Sequence, residues 1–106
     1  MVNWKKLAKL IPAEVQITSK SFYQILWVEN FPDDQHCVGS MDIDKKQIIM
    51  KISQSDKEKV LTYLHEVIHA FSDENKIGLT EKQVSIMEKK MLYYCMKTNN
   101  LFSKEV

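Results

Sequence analysis

The apolar residues of the chain change from an alternating period to a helical period near residue 55. Before this point they recur at every second position, which is typical of strands with one buried face. The pattern predicts four strands, at residues 14–18, 22–28, 36–43 and 47–52, with turns near residues 19–21 and 44–46. A short helix capped by Asn3 and stopped by Pro12 precedes them. We expect this helix to pack on the sheet, because about two to three turns are too few for a membrane anchor.

Two longer helices follow, and each begins with a complete capping signal. Ser55 with Glu58, and Thr80 with Gln83, place a hydroxyl at the N-cap and a hydrogen-bonding side chain three residues later. The apolar residues then recur at helical spacing, which predicts helices at residues 56–72 and 80–97. Strands followed by helices indicate an α+β fold.

The length and composition narrow the class of protein. A chain of 106 residues can build one compact core, so we expect a single domain over residues 1–106. A net charge of +1 gives no reason to expect a nucleic-acid or membrane partner. Every basic residue is lysine, which disfavours a phosphate-binding site because arginine is usual there. The N-terminus lacks the continuous apolar run of a signal peptide, so Cys37 and Cys95 are expected to be reduced thiols in a cytoplasmic protein.

The first long helix carries the segment His65-Glu66-Val67-Ile68-His69 on its polar side. Residues four apart on a helix lie one above the other, so His65 and His69 can direct one ring nitrogen each at a single ion. Two histidines at this spacing around a glutamate are typical of zinc peptidases. Glu66 is rotated by about 100° from His65, so it flanks the ion without binding it, where a general base takes a proton from a zinc-activated water. The segment therefore predicts a Zn²⁺ site with Glu66 as the catalytic residue.

The third ligand of this site is not decided by the residues alone. A catalytic zinc usually has three protein ligands and one open position. The metzincin spacing needs a glycine at position 72 and a histidine or aspartate at position 75, but these positions hold serine and asparagine. The thermolysin-like spacing needs a ligand at position 89, which holds lysine. Both spacings are therefore excluded. The nearest carboxylates are Glu74, Glu81 and Glu88. The last two are seven residues apart and share one face of the final helix, so either can reach the metal.

The motif and its surroundings resemble the minimal single-domain zincins of the gluzincin type, the minigluzincins. The resemblance rests on Leu64-His65-Glu66-Val67-Ile68-His69-Ala70 and on Leu79-Thr80-Glu81-Lys82-Gln83-Val84, and it extends over nearly the whole chain. It implies a zincin-like fold, in which a small, mostly antiparallel sheet packs on the active-site helix and on a following glutamate helix. It also implies a zinc metallopeptidase in which His65, His69 and Glu81 hold Zn²⁺ and Glu66 is the general base and acid of peptide-bond hydrolysis.

The resemblance further implies a peptide or protein substrate, bound in extended form along the edge strand at roughly residues 37–42. Val38, Gly39 and Ser40 are then the expected substrate-binding residues. Gly39 would let a substrate backbone approach closely, although a glycine in a strand also marks a β-bulge. Members of this family are thought to be latent, so residues 99–106 either obstruct the cleft or form an ordinary frayed terminus. We expect the protein to be a monomer.

Two other functions fit the same residues. The first is a non-catalytic zinc-binding or regulatory module with a closed site, in which His36 or a carboxylate of the C-terminal tail supplies a fourth ligand. The second is a regulatory protease of a phage or mobile element that cleaves one partner protein. The number of protein ligands separates the first function from a peptidase, whereas nothing in the sequence identifies the partner of the second.

Overall fold

Four strands and three helices make up the chain in a computed structural model that describes residues 2–32 and 36–101. Their bounds are α1 Trp4–Lys9, β1 Glu14–Thr18, β2 Ser21–Val28, β3 Gly39–Asp42, β4 Gln47–Lys51, α2 Asp56–Glu74 and α3 Glu81–Thr98. The predicted order of elements and the α+β class are confirmed. The third strand is shorter than the sequence predicts, since it begins only at Gly39 and His36 lies in a turn.

The sheet is mixed, with the strand order β1-β2-β4-β3. The pairs β1–β2 and β3–β4 are antiparallel, whereas β2 and β4 are parallel neighbours. Strand β3 therefore lies at an edge of the sheet. Its register with β4 is continuous from Gly39 opposite Met50 to Asp42 opposite Gln47. Of the two explanations of Gly39, the β-bulge is therefore contradicted.

Helix α2 packs against β1, β3 and β4 and forms the second layer of the fold. Ser55 and Glu58 form the predicted capping box at its start. Side chains of the sheet alternate in burial, as the apolar pattern predicts. The two layers meet in a core that includes Val15, Tyr23, Ile25, Ile48, Met50, Val60, Leu64 and Val67. Each large aliphatic side chain buried in this way contributes about 1.5–3 kcal/mol, so the apolar side of α2 is held on the sheet and its polar side is left for α3.

The other two helices pack mainly against α2 instead of against the sheet. Helix α1 also contributes to the core on the sheet, because its Leu7 is buried in one cluster with Val15, Tyr23 and Ile25 of the strands. Helix α3 begins with the predicted capping box of Thr80 and Gln83. Its Val84 and Cys95 are buried. No helix within the described ranges has the length and apolar character that a membrane span requires.

The chain returns to the core after α3. Asn99 ends the helix in the left-handed conformation, with φ 55°, which asparagine tolerates at this position. Leu101 is fully buried, and its carbonyl accepts a hydrogen bond of 2.6 Å from the hydroxyl of Tyr63. The segment from Asn99 to Leu101 is thus irregular but held by the core, so the frayed terminus is contradicted for these residues. Residues 102–106, the remainder of the segment expected to obstruct the cleft, lie outside the described residues.

Candidate metal centre

His65 and His69 lie one turn apart on the side of α2 that faces α3. Their rings meet edge to face with centroids 4.8 Å apart, and their Nε2 atoms are 3.2 Å apart. About a quarter of each side chain is exposed, 24% and 23%. The helical spacing of four residues predicts this convergence, and burial of three quarters of each ring restricts the directions that the nitrogens can take.

Glu81 joins the two histidines from the first turn of α3. Its carboxylate oxygens lie 3.3 Å from Nε2 of His65 and 2.5 Å from Nε2 of His69. The three side chains offer one donor atom each, all within 4.8 Å of one another. Within residues 2–32 and 36–101 no further histidine, cysteine or carboxylate belongs to this group. His36, the expected fourth ligand of a closed site, is exposed and lies outside it.

The separations between these donor atoms suit a tetrahedral zinc site. Bonds of about 2.0–2.1 Å at tetrahedral angles place neighbouring donor atoms about 3.3–3.4 Å apart. The two distances from Nε2 of His65, 3.2 Å and 3.3 Å, agree with this value. The distance of 2.5 Å between His69 and Glu81 is that of a hydrogen bond and has to lengthen when an ion is held. Two imidazoles and one carboxylate are also a ligand set of catalytic zinc, so the residues fit the metal.

Glu88 lies on the same face of α3 as Glu81 but contacts the opposite side of the His65 ring. Its Oε1 atom is 2.9 Å from Nδ1 of His65, and 16% of its side chain is exposed. The two carboxylates that the sequence leaves as equivalent candidates are separated by this geometry. Glu81 lies beside the Nε2 atoms of both histidines, whereas Glu88 binds the ring nitrogen that points away from them.

Glu74, the remaining carboxylate near the motif, is engaged with the sheet. It accepts hydrogen bonds from the Lys46 ammonium, from the Tyr23 hydroxyl at 2.5 Å and from the Ser21 hydroxyl at 3.0 Å. These donors, with Lys46 contributing most, hold the pKa of Glu74 at about 2. The carboxylate ties the end of α2 to the sheet and takes no part in the metal group.

The site gathers negative charge around its two imidazoles. Glu66 is only 9% exposed, and this burial raises the pKa of its carboxyl; His65 and His69 oppose the rise, and Glu81 and Glu88 add to it. Burial lowers the pKa of His65, but the hydrogen bond to Glu88 and the nearby carboxylates outweigh burial, so the net pKa is raised. None of the described residues donates a hydrogen bond to the Glu66 carboxylate. This concentration of carboxylates favours a bound cation.

A cleft of about 340 Å³ opens beside the group, between β3 and the two helices. Val38 and Gly39 line this cleft together with His65 and Glu66. Ser40, the third residue expected to bind substrate, does not belong to its lining. A larger cavity of about 380 Å³ between β1, α2 and α3 is lined by apolar side chains and one glutamine. It offers no titratable group, so the smaller cleft is the candidate site.

Gly39 lies against α2 more closely than any larger residue can. A β-carbon at this position would be 2.4 Å from Cγ2 of Thr62 and 3.3 Å from Oε2 of Glu66. The close neighbour of the glycine in the structure is therefore helix α2, and the approach of a substrate backbone stays a prediction. On the other side, the thiol of Cys37 donates to the Gly39 carbonyl at 3.2 Å. Sequence reasoning does not identify Thr62 as the neighbour of Gly39, because this contact depends on how the strand meets the helix.

Sequence reasoning also misses a side-chain link between α2 and the end of β4. The Thr62 hydroxyl donates to Oε1 of Gln54 at 2.8 Å, and Nε2 of Gln54 donates to the Lys51 carbonyl at 2.7 Å. In the sequence, Thr62 only shares the polar side of the predicted helix with His65, three residues further on. Gln54 lies between two predicted elements and carries no pattern.

Comparisons of the chain with protein-family models, with curated proteins and with solved structures found no significant match. They neither support nor refute the resemblance to the minigluzincins. A function for this site therefore rests on its own geometry and chemistry.

Proposed function

We propose that the protein is a zinc-dependent metallopeptidase of the zincin type with a gluzincin-like site. The observation that carries the proposal is the meeting of Nε2 of His65, Nε2 of His69 and the Glu81 carboxylate, next to the buried Glu66. Two imidazoles and one glutamate form the ligand set of one class of catalytic zinc sites. The α+β fold supports the proposal, since the motif helix packs on the sheet and the glutamate helix packs on the motif helix.

The number of ligands favours a catalytic site over a closed one. When bound, Zn²⁺ supplies Lewis acidity that polarises a carbonyl and lowers the pKa of a water ligand to about 7. A structural site has four protein ligands, whereas the group within residues 2–32 and 36–101 has three members. A tail carboxylate was the other expected fourth ligand of a closed regulatory module, and Glu105 lies outside the described residues.

Glu66 acts as the general base and then as the general acid. It takes a proton from the attacking water and delivers it to the leaving amine. Its carboxylate receives no hydrogen bond from the described residues, so its oxygens are open to a water in the cleft. Burial raises the pKa of Glu66, which helps the carboxyl to retain the proton between the two steps.

The edge strand β3 supports a peptide or protein as the substrate. The Lys51 amide donates to the Val38 carbonyl at 2.9 Å. Hydrogen-bonded pairs alternate along an antiparallel ladder, so Gly39 and Met41 direct their backbone groups away from β4. An extended peptide can add to such an edge through backbone hydrogen bonds. The thiol that now donates to the Gly39 carbonyl is a weak donor, and a substrate amide can displace it.

The test is Glu66→Gln, which preserves the size of the side chain and removes its basicity. We expect the zinc-loaded protein to hydrolyse an unfolded polypeptide, and the variant to keep its zinc and lose all hydrolysis. Glu58→Gln is the matched control, because this residue is also a glutamate of α2 but only caps its first turn. Hydrolysis that persists in Glu66→Gln contradicts the role of Glu66.

Latency is tested in the same assay. If the full chain is inactive because its C-terminal segment obstructs the cleft, a chain that lacks residues 103–106 should gain activity. This deletion leaves Leu101 in place, which the core requires. Hydrolysis at equal rates by the two chains contradicts latency and leaves the peptidase proposal intact, whereas absence of hydrolysis in both contradicts the proposal.

A further inference from the structure

We propose that Glu88 is a positioning residue that fixes the orientation and tautomer of His65. The inference rests on the proposed metal site, but it concerns a residue that takes no part in the ligand group. By accepting a hydrogen bond from Nδ1–H of a neutral His65, Glu88 leaves the lone pair of Nε2 directed toward His69 and Glu81. One ligand of the site is then oriented before any ion arrives.

The hydrogen bond identifies the tautomer. A neutral imidazole carries one N–H donor and one acceptor nitrogen, and an ionised carboxylate can only accept. The contact of 2.9 Å between Oε1 of Glu88 and Nδ1 of His65 therefore places the proton on Nδ1. When His65 is neutral, as a metal ligand must be, Nε2 is then the acceptor nitrogen. It is the atom that lies 3.2 Å from Nε2 of His69 and 3.3 Å from the Glu81 carboxylate.

Burial makes the contact effective. Only 16% of the Glu88 side chain and 24% of the His65 side chain are exposed, so water competes weakly for either partner. Val84, which lies on α3 between the two glutamates, is fully buried and holds this part of α3 in place. A hydrogen bond between two confined groups restricts the ring far more than one between mobile surface groups.

Glu88 is not a third ligand in this geometry. The two nitrogens of an imidazole point in diverging directions, so a carboxylate on Nδ1 does not face an ion on Nε2. Glu81 already occupies the position beside both Nε2 atoms. Helix α3 thus supplies two carboxylates seven residues apart, and each approaches His65 at a different nitrogen.

The two histidines differ in how many of their ring nitrogens have a partner. Within the described residues, the hydrogen-bonding partners of His69 both lie at Nε2, where it contacts His65 and Glu81, and Nδ1 has none. His65 is held at both nitrogens. Loss of Glu88 should therefore act on the tautomer of His65 and leave His69 unaffected, which a general disturbance of the fold would not do.

The first experiment needs no metal. Heteronuclear NMR of the imidazole nitrogens in metal-free protein, at a pH high enough for both rings to be neutral, reports the tautomer of each histidine. We expect His65 to carry its proton on Nδ1 in the wild type and in Glu88→Gln, since the glutamine amide oxygen still accepts. In Glu88→Ala we expect His65 to shift toward the Nε2-protonated form, with His69 unchanged. Lys89→Ala, an exposed neighbour on α3, is the control and should match the wild type.

The second experiment measures zinc affinity by competition with a chelator. Removal of a carboxylate that orients a ligating histidine costs about 10–100-fold in metal affinity. We expect a loss of this size for Glu88→Ala, a smaller loss for Glu88→Gln, and a far larger loss for Glu81→Ala. Circular dichroism confirms that each variant is folded.

The outcomes are separable. An unchanged His65 tautomer in Glu88→Ala overturns the positioning role, whatever the zinc affinity. A zinc loss in Glu88→Ala and Glu88→Gln as large as in Glu81→Ala also overturns it, because Glu88 would then be a ligand. If the wild type binds no zinc while the tautomer responds as expected, the proposed function fails and the positioning of His65 by Glu88 stands.

Discussion

Gly39 of β3 and Thr62 of α2 lie so close that no side chain fits between them. A β-carbon built on Gly39 meets Cγ2 of Thr62 at 2.4 Å, a separation that packed atoms do not adopt. The next contact is with Glu66, whose Oε2 and Cγ would lie at 3.3 Å and 3.4 Å. The glycine therefore sets the distance between the edge strand and the helix that carries the proposed catalytic residue.

We expect Gly39→Ala to destabilise the protein by about 1–3 kcal/mol, the usual cost of forcing a methyl group into a packed contact. Thr62→Ser removes Cγ2 but keeps the hydroxyl that donates to Gln54, so the double variant should recover most of the loss. Urea denaturation of the two single variants and the double variant measures the coupling.

Gly78→Ala is the matched control, because that position has open space and φ +74°. Its loss comes from backbone strain, and Thr62→Ser should not relieve it. Additive losses for positions 39 and 62 would contradict the packing explanation.

The elements that sequence predicts well are those set by local spacing. The capping boxes and the pairing of His65 with His69 depend on residues three or four apart, so they follow from the amino-acid sequence alone. The order β1-β2-β4-β3 does not, because β4 inserts between strands that follow each other in sequence. Likewise Glu81 and Glu88 share a helix face, and only the way in which α3 meets α2 assigns them to different nitrogens of His65. The need for a glycine at position 39 also depends on tertiary packing, since Thr62 lies far from it in the sequence.

The carboxylate of Glu74 should make the free energy of unfolding depend on pH in the acid range. Its hydrogen bonds from Lys46, Tyr23 and Ser21 hold its pKa at about 2, below the ordinary 4.5. Because the folded-state pKa is lowered, the contribution of this group is present above about pH 4.5 and is lost as the pH falls from there toward about 2. We expect Glu74→Gln to flatten the fall of the free energy of unfolding across this window. Asp73→Asn removes an exposed neighbouring carboxylate and serves as the control. Equal acid profiles for the wild type and Glu74→Gln would show that the network does not stabilise the folded state.

The burial of Leu101 predicts a sharp limit for truncation from the C-terminus. Deletion of residues 103–106 should leave the stability nearly unchanged, because Leu101 and its bond to Tyr63 remain. Deletion of residues 99–106 removes a fully buried leucine and leaves the Tyr63 hydroxyl without its acceptor. Leu101→Ala alone should cost about 2–5 kcal/mol, and the longer deletion should cost more. Thermal unfolding of the three variants measures these losses. A stable chain that ends at Thr98 would contradict the place of Leu101 in the core.

Zinc should raise the stability of the folded protein, because its proposed ligands come from two different helices. His65 and His69 belong to α2 and Glu81 belongs to α3, so an ion held by all three joins them only in the folded state. At a free concentration about 100 times the Kd, such binding stabilises by about 2.7 kcal/mol. For a domain of this size that corresponds to a rise in Tm of about 10–20 °C. Calorimetry with zinc and with a chelator measures the difference in Tm.

Glu81→Ala should abolish the rise in Tm, since it leaves only the two ligands of α2, and Glu58→Gln should preserve it. A rise that survives in Glu81→Ala would place the ion elsewhere and remove the basis for Glu81 as the third ligand.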